Sequence, residues 1–338
     1  MNKINTISQY YKNIFRILVC LFYFSCTSNG KRKNPIEHNF GQPNYEYIIK
    51  NDKFIDDNKN LLPGSFISLS KGNTYYEIAN SNSNYPAIIL IHGFSVPSYI
   101  WEPTFQEAKK LGYKVMRFDL YGRGYSQNPD VNYTDELFAN QSWELLDSLS
   151  INNVVLIGLS NGGRVISKMA SIFPNRIDKL IYVSSNGFED IKELDDKSVN
   201  KEEVTSFIKN YKSLSESQKN DFKDPNQFRD WVLKYSELQK YKGFARALIS
   251  TQKNHVSLDN LHKEISENNI EIFTLWGKYD KVVIFDDFRE KIDKILPNRK
   301  DFFFKNAGHL PQMESRNEFN NVLFNNILKF TKEQKKSK

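Results

Sequence analysis

Short apolar runs alternate along the chain with segments of helical spacing. The runs AIILIH (87–92) and VVLIGL (154–159) are almost continuously apolar, which predicts strands buried on both faces of a sheet. Further strands are predicted at SFISLS (65–70), TYYEIAN (74–80), YKVMRFD (113–119), KLIYVSS (179–185), IEIFTLW (270–276) and DFFFK (301–305). A Lys71-Gly72-Asn73 turn joins the first two of these as a hairpin.

Helical patterns fall between the strands. They cover residues 135–150, 161–173, 286–295 and 317–332. This alternation predicts an α/β fold with a doubly wound, mostly parallel sheet. Between residues 187 and 262 the alternation stops, and the charged, helical pattern there predicts an inserted helical cap. The core of this α/β fold is therefore expected in two parts, residues 61–186 and 263–334.

The first 60 residues follow a different pattern. Three basic residues precede the run ILVCLFYFSC, which is too short to cross a bilayer as a helix. Residues 1–26 resemble a bacterial lipoprotein signal whose cysteine, Cys26, is lipidated. Residues 27–60 are polar and rich in asparagine, which predicts a tether. We therefore expect an exported protein held at the membrane surface by lipid on Cys26; the alternative is a secreted or periplasmic protein.

The basic excess of the chain is confined to its ends. The formal net charge is +7, but residues 1–34 carry six basic and no acidic residues, and residues 329–338 carry five basic and one acidic. The rest of the chain is therefore slightly acidic, which predicts no nucleic-acid interface. Both cysteines, Cys20 and Cys26, lie in the predicted signal. No thiol is left in the folded body for a disulfide, a nucleophile or a metal site.

The stretch VVLIGLSNGGRV (154–165) places Ser160 at the end of a buried strand, with Gly158 and Gly162 two positions to either side. A helical pattern follows. This context is typical of a nucleophile elbow, in which a strained serine is held between strand and helix by small neighbours. The alternative is an ordinary glycine-rich turn between a strand and a helix.

A serine nucleophile needs a base, and the base needs an orienting acid. His309 lies in KNAGHLPQMES, a loop after a predicted strand, and is the expected base. Asp280 follows another predicted strand in LWGKYDKVV and is the expected acid, with Glu189 and Asp190 as rivals. The chain order of serine, aspartate and histidine is that of α/β-hydrolases. The remaining histidines are His38, His92, His255 and His262.

Backbone N–H groups are expected to stabilise the oxyanion, because their positions are fixed by the fold. The N–H of Asn161 lies at the start of the helix after Ser160. The second donor is expected in the loop after AIILIHGF, at Phe94. His92, in the same loop, is expected to make a structural hydrogen bond and to take no direct part in catalysis.

Five segments in order resemble the α/β-hydrolase superfamily, in its capped esterase and lipase branch, over residues 86–332. They are HGFSVPSYIW, FDLYGRGYS, GLSNGG, LWGKYDKVV and NAGHLPQME. In FDLYGRGYS, Asp119, Gly122 and Gly124 are expected to hold a turn. Asn161 departs from the methionine often found after the serine, which changes the polarity of the side chain and leaves the backbone role intact.

The resemblance implies a serine hydrolase that cleaves carboxylic esters, either short to medium acyl esters or monoacylglycerol-like lipids. Haloalkane dehalogenases and epoxide hydrolases of the superfamily require a carboxylate nucleophile, whereas residue 160 is serine. Aromatic residues of the cap are expected mainly to pack its helices, and some of them to line an acyl pocket. They are Phe188, Phe207, Tyr211, Phe222, Phe228, Trp231, Tyr235, Tyr241 and Phe244.

Three other functions stay open. Related capped hydrolases cleave carbon–carbon bonds in dienoic diketones, although an export signal argues against that intracellular role. An acyl-enzyme also permits transfer to an alcohol. A non-catalytic surface binding protein is disfavoured, because every residue of the triad is present. No metal or organic cofactor is expected, since neither ligand clusters nor a phosphate-binding glycine loop occurs. No protein partner can be inferred from the sequence.

Overall fold

The computed structural model describes residues 47–328. Their central element is an eight-stranded sheet. Its strands are Ser65–Leu69 (β1), Gly72–Ala79 (β2), Ala87–Ile91 (β3), Val115–Phe118 (β4), Val154–Leu159 (β5), Ile177–Val183 (β6), Glu271–Gly277 (β7) and Lys300–Phe304 (β8). Each strand coincides with a predicted one to within two residues at most ends.

The strand order is β1-β2-β4-β3-β5-β6-β7-β8. Pairings of β2 with β1 and with β4 are antiparallel, and all other pairings are parallel. The predicted fold class, a doubly wound and mostly parallel sheet, is confirmed. The order reverses at β3, which lies between β4 and β5. In open α/β sheets a ligand crevice forms outside the carboxyl ends of the strands at such a reversal.

The continuous apolar runs are explained by burial on both faces of the sheet. In β3, Ile88 and Leu90 pack into one hydrophobic cluster, while Ile89 and Ile91 pack into the other. Helices cover both faces. Outside the cap they are Asp52–Asn58 (α1), Glu102–Lys110 (α2), Asp135–Ser148 (α3), Asn161–Ile172 (α4), Asp259–Glu267 (α9), Phe285–Ile295 (α10), Pro311–Glu314 (α11) and Arg316–Asn321 (α12).

Helices without strands fill the predicted cap. They are Lys201–Lys209 (α5), Tyr211–Ser217 (α6), Trp231–Leu238 (α7) and Phe244–Lys253 (α8). Asn200 begins α5 with a capping box, in which its side chain accepts from Glu203 N–H and the Glu203 carboxylate accepts from Asn200 N–H. Aromatic rings pack the cap together: Phe222 stacks on Phe228 with centroids 4.2 Å apart and meets Trp231 edge-on at 5.4 Å.

The predicted cap, 187–262, is too wide at both ends. Phe188, assigned to the cap, lies in the core of the sheet domain, 4.8 Å from the ring of His262 and 5.8 Å from that of Tyr182. The predicted boundary at 262 falls inside α9. This helix packs on α4, where His262 meets Ser167 at 2.9 Å. Charge and helical spacing are shared by cap helices and core surface helices, so the pattern alone could not separate them.

The predicted tether, 27–60, is wrong for its final part. Residues 27–46 and the predicted signal, 1–26, lie outside the described residues, but residues 47–60 are folded. Ile48 pairs with Tyr241 of the cap, and Asn51 caps α1. Lys50 is buried and donates to the carbonyl of Gly124 at 2.9 Å. Polar composition hid these contacts, because they are made by a few side chains and by the backbone.

The last predicted helix, 317–332, begins at Arg316 as α12. It continues with wider, π-type hydrogen bonding over Val322–Ile327. Phe319, Leu323 and Phe324 are buried against the sheet. The predicted end at 332 lies outside the described residues.

Candidate active site

Ser160 lies between β5 and α4 in a conformation that non-glycine residues rarely adopt. Its φ is 51° and its ψ is −119°. Such a backbone costs about 1–3 kcal/mol and persists only where surrounding contacts fix it. Here the Ser160 N–H donates to Val183 O at 2.9 Å, and its carbonyl accepts from Gly163 N–H at 2.9 Å. The strain and the position match the nucleophile elbow that the sequence predicts.

The two flanking glycines are required by space. A Cβ on Gly158 would lie 2.4 Å from the carbonyl oxygen of Gly162, and a Cβ on Gly162 would lie 2.5 Å from Ile91 O. Both obstacles are backbone atoms, which cannot turn aside as a side chain can. The chain can pass from β5 into α4 at this angle only with glycine at both positions.

Asp280 and His309 form a buried pair. His309 Nδ1 lies 2.8 Å from Asp280 Oδ2, and both side chains are almost inaccessible to solvent. Asp280 follows β7, and His309 lies in the loop of residues 305–310 between β8 and α11, which we call the base loop. The other oxygen of Asp280 accepts from the N–H groups of Val282 and Val283, both at 2.8 Å. These bonds hold the carboxylate so that Oδ2 faces the imidazole.

The electrostatics of this pair favour a charged histidine. Burial lowers the pKa of His309, but the charge and hydrogen bond of Asp280, with the charge of Asp221, outweigh it and raise the pKa above its usual value. The Asp280 contact assigns the proton of the neutral ring to Nδ1, which leaves Nε2 as an acceptor. A neutral His309 in this tautomer can accept a proton at Nε2.

The rival acids do not contact His309. Glu189 accepts a hydrogen bond from the N–H of Gly187, and Asp190 forms an exposed ion pair with Lys291 at 2.7 Å. The contact between His262 and Ser167 is a core contact, since both residues are fully buried beside Tyr182. Among the described residues, Asp280 is the carboxylate that meets the predicted base.

Ser160 and His309 lie at the same edge of the sheet, where β5 and β8 reach their carboxyl ends. In the described part of the chain, no hydrogen bond joins the Ser160 hydroxyl to the His309 ring. Hydrogen bonds of catalytic groups are often long without substrate and tighten when it binds. The fold therefore brings the three predicted residues to one edge and bonds two of them directly.

The predicted oxyanion donors lie on either side of Ser160. Asn161 is the first residue of α4, where helical N–H groups have no helical acceptor. The loop with Phe94 runs close by, since a Cβ on Gly93 would lie 3.3 Å from Ser160 Cβ. Within the described residues, neither the N–H of Phe94 nor that of Asn161 donates to another backbone group. Their role as oxyanion donors stays a prediction.

Neighbouring groups hold this loop in place. Arg123 is buried and donates through Nε to the Phe94 carbonyl at 2.8 Å. Asp119 accepts from the N–H groups of Ser98 and Tyr125, so it holds the turn expected of it. His92 accepts from Leu120 N–H at 2.9 Å, and burial lowers its pKa to about 3. His92 is therefore a neutral structural residue.

Sequence reasoning missed three residues that surround the candidate site: Arg123, Asp221 and Glu314. Arg123 lies within the quoted FDLYGRGYS segment, and Glu314 ends NAGHLPQME. Asp221 had no sequence signal, because it comes from the cap. Burial raises the pKa of Asp221 to about 7, although the charge of His309 opposes this.

No group of three or more histidine, cysteine, aspartate or glutamate side chains is arranged to hold a metal within residues 47–328. A surface cleft lined by Asn268, Ile270 and Lys300 lies at the amino ends of β7 and β8. It is at the opposite edge of the sheet from Ser160 and takes no part in the candidate site.

The family model of the alpha/beta hydrolase fold matches residues 86–315. This match covers about two thirds of the chain, from just before β3 to the end of α11. It includes Phe94, Ser160, Asp280 and His309.

Individual relatives span parts of this range. Uncharacterized proteins of Mycobacterium tuberculosis and Mycobacterium bovis are 37% identical over 112 residues, which cover 33% of this chain and 32% of theirs. The chain thus spans about a third of the length of these curated relatives. Lipase 1 of Psychrobacter immobilis is 25% identical and covers 82% of this chain and 88% of its own. The solved structure of the esterase EaEST from Exiguobacterium antarcticum has a TM-score of 0.62 at 20% identity, covering 78% of this chain and 98% of that one.

Proposed function

This chain belongs to the alpha/beta hydrolase fold family, and we propose that it is a serine hydrolase that cleaves carboxylic esters. The observation that carries the proposal is the buried Asp280–His309 hydrogen bond, at the sheet edge that also holds the strained Ser160. An acid, a base and a nucleophile at one edge are the groups needed for acyl transfer.

Each residue has a defined role in the proposed reaction. The Ser160 hydroxyl attacks the ester carbonyl while His309 Nε2 accepts its proton. The N–H groups of Phe94 and Asn161 stabilise the oxyanion of the tetrahedral intermediate. The protonated histidine then donates to the departing alcohol, which leaves an acyl group on Ser160. Water, activated by the same histidine, hydrolyses this acyl-enzyme and restores the serine.

The substrates we propose are short to medium acyl esters or monoacylglycerol-like lipids. Support comes from the names of the lipase and the esterase that resemble this chain, and from the aromatic cap. The buried rings of Phe222, Trp231 and Tyr235 belong to the cluster that also contains β3 and β5 side chains. A panel of p-nitrophenyl esters of increasing chain length tests the proposal. Hydrolysis that peaks at one acyl length supports it, and inactivity toward every ester contradicts it.

Ester hydrolysis should be insensitive to chelators. The proposed mechanism uses side chains and backbone amides for every proton transfer and for the oxyanion. We expect activity within about twofold of the untreated value after EDTA, because removing a metal that performs no step changes no barrier. The measurement is hydrolysis of the best p-nitrophenyl ester before and after EDTA and dialysis. Loss of activity that is restored by added metal would contradict the mechanism.

We further propose that the protein is exported and anchored by lipid on Cys26. The support is the sequence: basic residues, a short apolar run, and a serine directly before the cysteine. Within residues 47–328 no helix is long and apolar enough to span a bilayer. Stable anchoring generally needs more than one acyl chain, which lipoprotein modification supplies.

Replacing Cys26 with serine should release the protein from membranes of the bacterium that expresses it, because the acyl chains have no other site of attachment in this proposal. The measurement is detergent partitioning together with intact mass. Cys20→Ser is the matched control, since Cys20 lies inside the predicted signal, and it should leave both results unchanged. A wild-type protein in the aqueous phase, with an unmodified amino terminus at another residue, excludes the lipoprotein.

A further inference from the structure

One carboxylate, that of Glu314, bonds to both the base loop and the cap. Glu314 Oε2 accepts from the N–H of Gly308, the residue before His309, at 2.5 Å. Its other oxygen, Oε1, accepts from the N–H groups of Lys223 and Asp224 at 2.9 and 3.1 Å. These two residues belong to the cap segment 221–224, which begins at the last residue of the 3₁₀ turn Gln218–Asp221. One side chain thus joins two parts of the chain that are about 85 residues apart in sequence.

A direct backbone contact reinforces this link. The N–H of His309 donates to the carbonyl of Asp221 at 2.7 Å. Gly308 lies so close to the cap segment that a Cβ there would be 2.8 Å from both Asp221 O and Lys223 N. The backbone of the candidate base is therefore held by the cap, and glycine at 308 allows the approach.

The same part of the cap also reaches the neighbours of both residues of the buried pair. Lys223 Nζ donates to Asn306 of the base loop at 3.0 Å and lies 4.4 Å from the ring centroid of Tyr279, the residue before Asp280. These contacts are exposed and individually weak. The hydrogen bonds to the Glu314 carboxylate are charge-assisted, and such bonds are about twice as strong as neutral ones.

The geometry points to Glu314 as a positioning residue: by clamping Gly308 to the cap segment 221–224, it fixes the backbone of His309 in the orientation that pairs the ring with Asp280. The inference rests on the proposed function for the role of His309. Glu314 itself contacts backbone N–H groups of the protein and acts through His309. An error of 1 Å in the placement of a catalytic group can cost about 100-fold in rate, so a clamp on the base loop has a measurable effect.

The test uses Glu314→Ala and Glu314→Gln, with Glu318→Gln as the matched control. Glu318 lies four residues further on, in α12, and is exposed, so its change to glutamine alters the charge equally without touching the base loop. Alanine removes the hydrogen bonds of Glu314 to Gly308 and those to Lys223 and Asp224. Glutamine keeps one acceptor oxygen. Its NH₂ group takes the place of the other oxygen and cannot accept a hydrogen bond from a backbone N–H.

The decisive readout is hydrogen exchange of the His309 amide, resolved by NMR of ¹⁵N-labelled protein. The His309 amide donates to Asp221 and not to Glu314, so the Glu314 substitutions leave its hydrogen-bond acceptor in place. Faster exchange of this amide therefore shows that the base loop opens more often when the Glu314 contacts are lost. We expect exchange to accelerate by about tenfold or more in Glu314→Ala, less in Glu314→Gln, and not in Glu318→Gln, because local opening sets the exchange rate. Amides of β5 serve as an internal reference for global stability.

Kinetics supply the second readout. We expect kcat to fall about 10- to 100-fold in Glu314→Ala, with KM changed by less than about threefold, as for a mispositioned catalytic group. Unchanged His309 exchange in a folded Glu314→Ala protein, or accelerated exchange with an unchanged kcat, overturns the inference. If Glu314→Ala does not fold, Glu314→Gln decides by the same criteria. If the wild type hydrolyses no ester, the proposed function fails, and the exchange rates alone decide whether Glu314 positions His309.

Discussion

We expect Ser160→Ala to abolish ester hydrolysis while the protein remains folded. We expect kcat to fall by roughly four to six orders of magnitude, the range found when a triad nucleophile is removed. The reason is that no acyl-enzyme can form without the hydroxyl. The strained backbone at residue 160 tolerates alanine as well as serine, because both side chains extend from the same Cβ.

The measurement is single-turnover and steady-state hydrolysis of the preferred p-nitrophenyl ester. Ser171→Ala is the matched control, since Ser171 is an exposed serine on the same helix, α4, and within residues 47–328 its hydroxyl bonds only to Lys168 O. It should retain full activity. Near-normal turnover by a folded Ser160→Ala protein would remove the proposed mechanism altogether.

Asp280→Asn is expected to lower kcat by about four orders of magnitude while the fold survives. Asparagine keeps the shape of the side chain, and its carbonyl oxygen can still accept from Val282 and Val283. Its NH₂ group would then face His309 Nδ1 and select the tautomer with the proton on Nε2. A ring in that tautomer cannot accept the Ser160 proton through Nε2.

The pH dependence of kcat/KM gives a second test of Asp280. His309 must be neutral to act as the base, so activity is lost as the pH falls through the pKa of His309. Asp280 raises that pKa against the effect of burial. The acid limb of the residual activity should therefore move to lower pH in Asp280→Asn.

Asp190→Asn is the control for the acid. Asp190 is exposed and paired with Lys291, so its substitution should leave both kcat and the acid limb unchanged. If Asp190→Asn or Glu189→Gln is inactive while Asp280→Asn has nearly normal activity, the catalytic acid is one of the two carboxylates that follow β6. That result would also remove the role of the Asp280–His309 contact.

The local sequence pattern was sufficient to predict the strands and the nucleophile elbow. In β3 and β5 every residue is buried, and a continuous apolar run of this kind can be read within six residues. The elbow is likewise local, because the steric need for glycine at 158 and 162 arises within one turn of chain and its contact with β3. The chain order of Ser160, Asp280 and His309 then indicated the fold in which three distant segments meet.

The tertiary structure decided which residues far apart in sequence form hydrogen bonds with each other. Three carboxylates that follow strands were candidates for the acid, and only the packing of β7 beside β8 brings Asp280 to His309. The clamp of Glu314 on the cap joins residues whose separation in sequence gives no signal. Such contacts depend on where the ends of parallel strands and the cap meet in space, which is set by the whole core.

The segment 47–60 is a second case in which the sequence pattern did not predict the contacts that the structure shows. Its apolar residues, Tyr47, Ile48, Ile49, Phe54 and Ile55, are separated by the polar run 50–53, so the burial pattern that identifies strands and helices is weak. The segment contacts the rest of the protein through the pairing of Ile48 with Tyr241, the ring of Phe54 against Tyr125 and Tyr241, and the hydrogen bond from the Lys50 ammonium to the Gly124 carbonyl. The sequence by itself determined the sheet, the elbow and the order of the catalytic candidates, since these follow from local sterics and apolar periodicity. Only the tertiary structure decided which polar groups meet, since a hydrogen bond requires two positions that the folded core alone brings together.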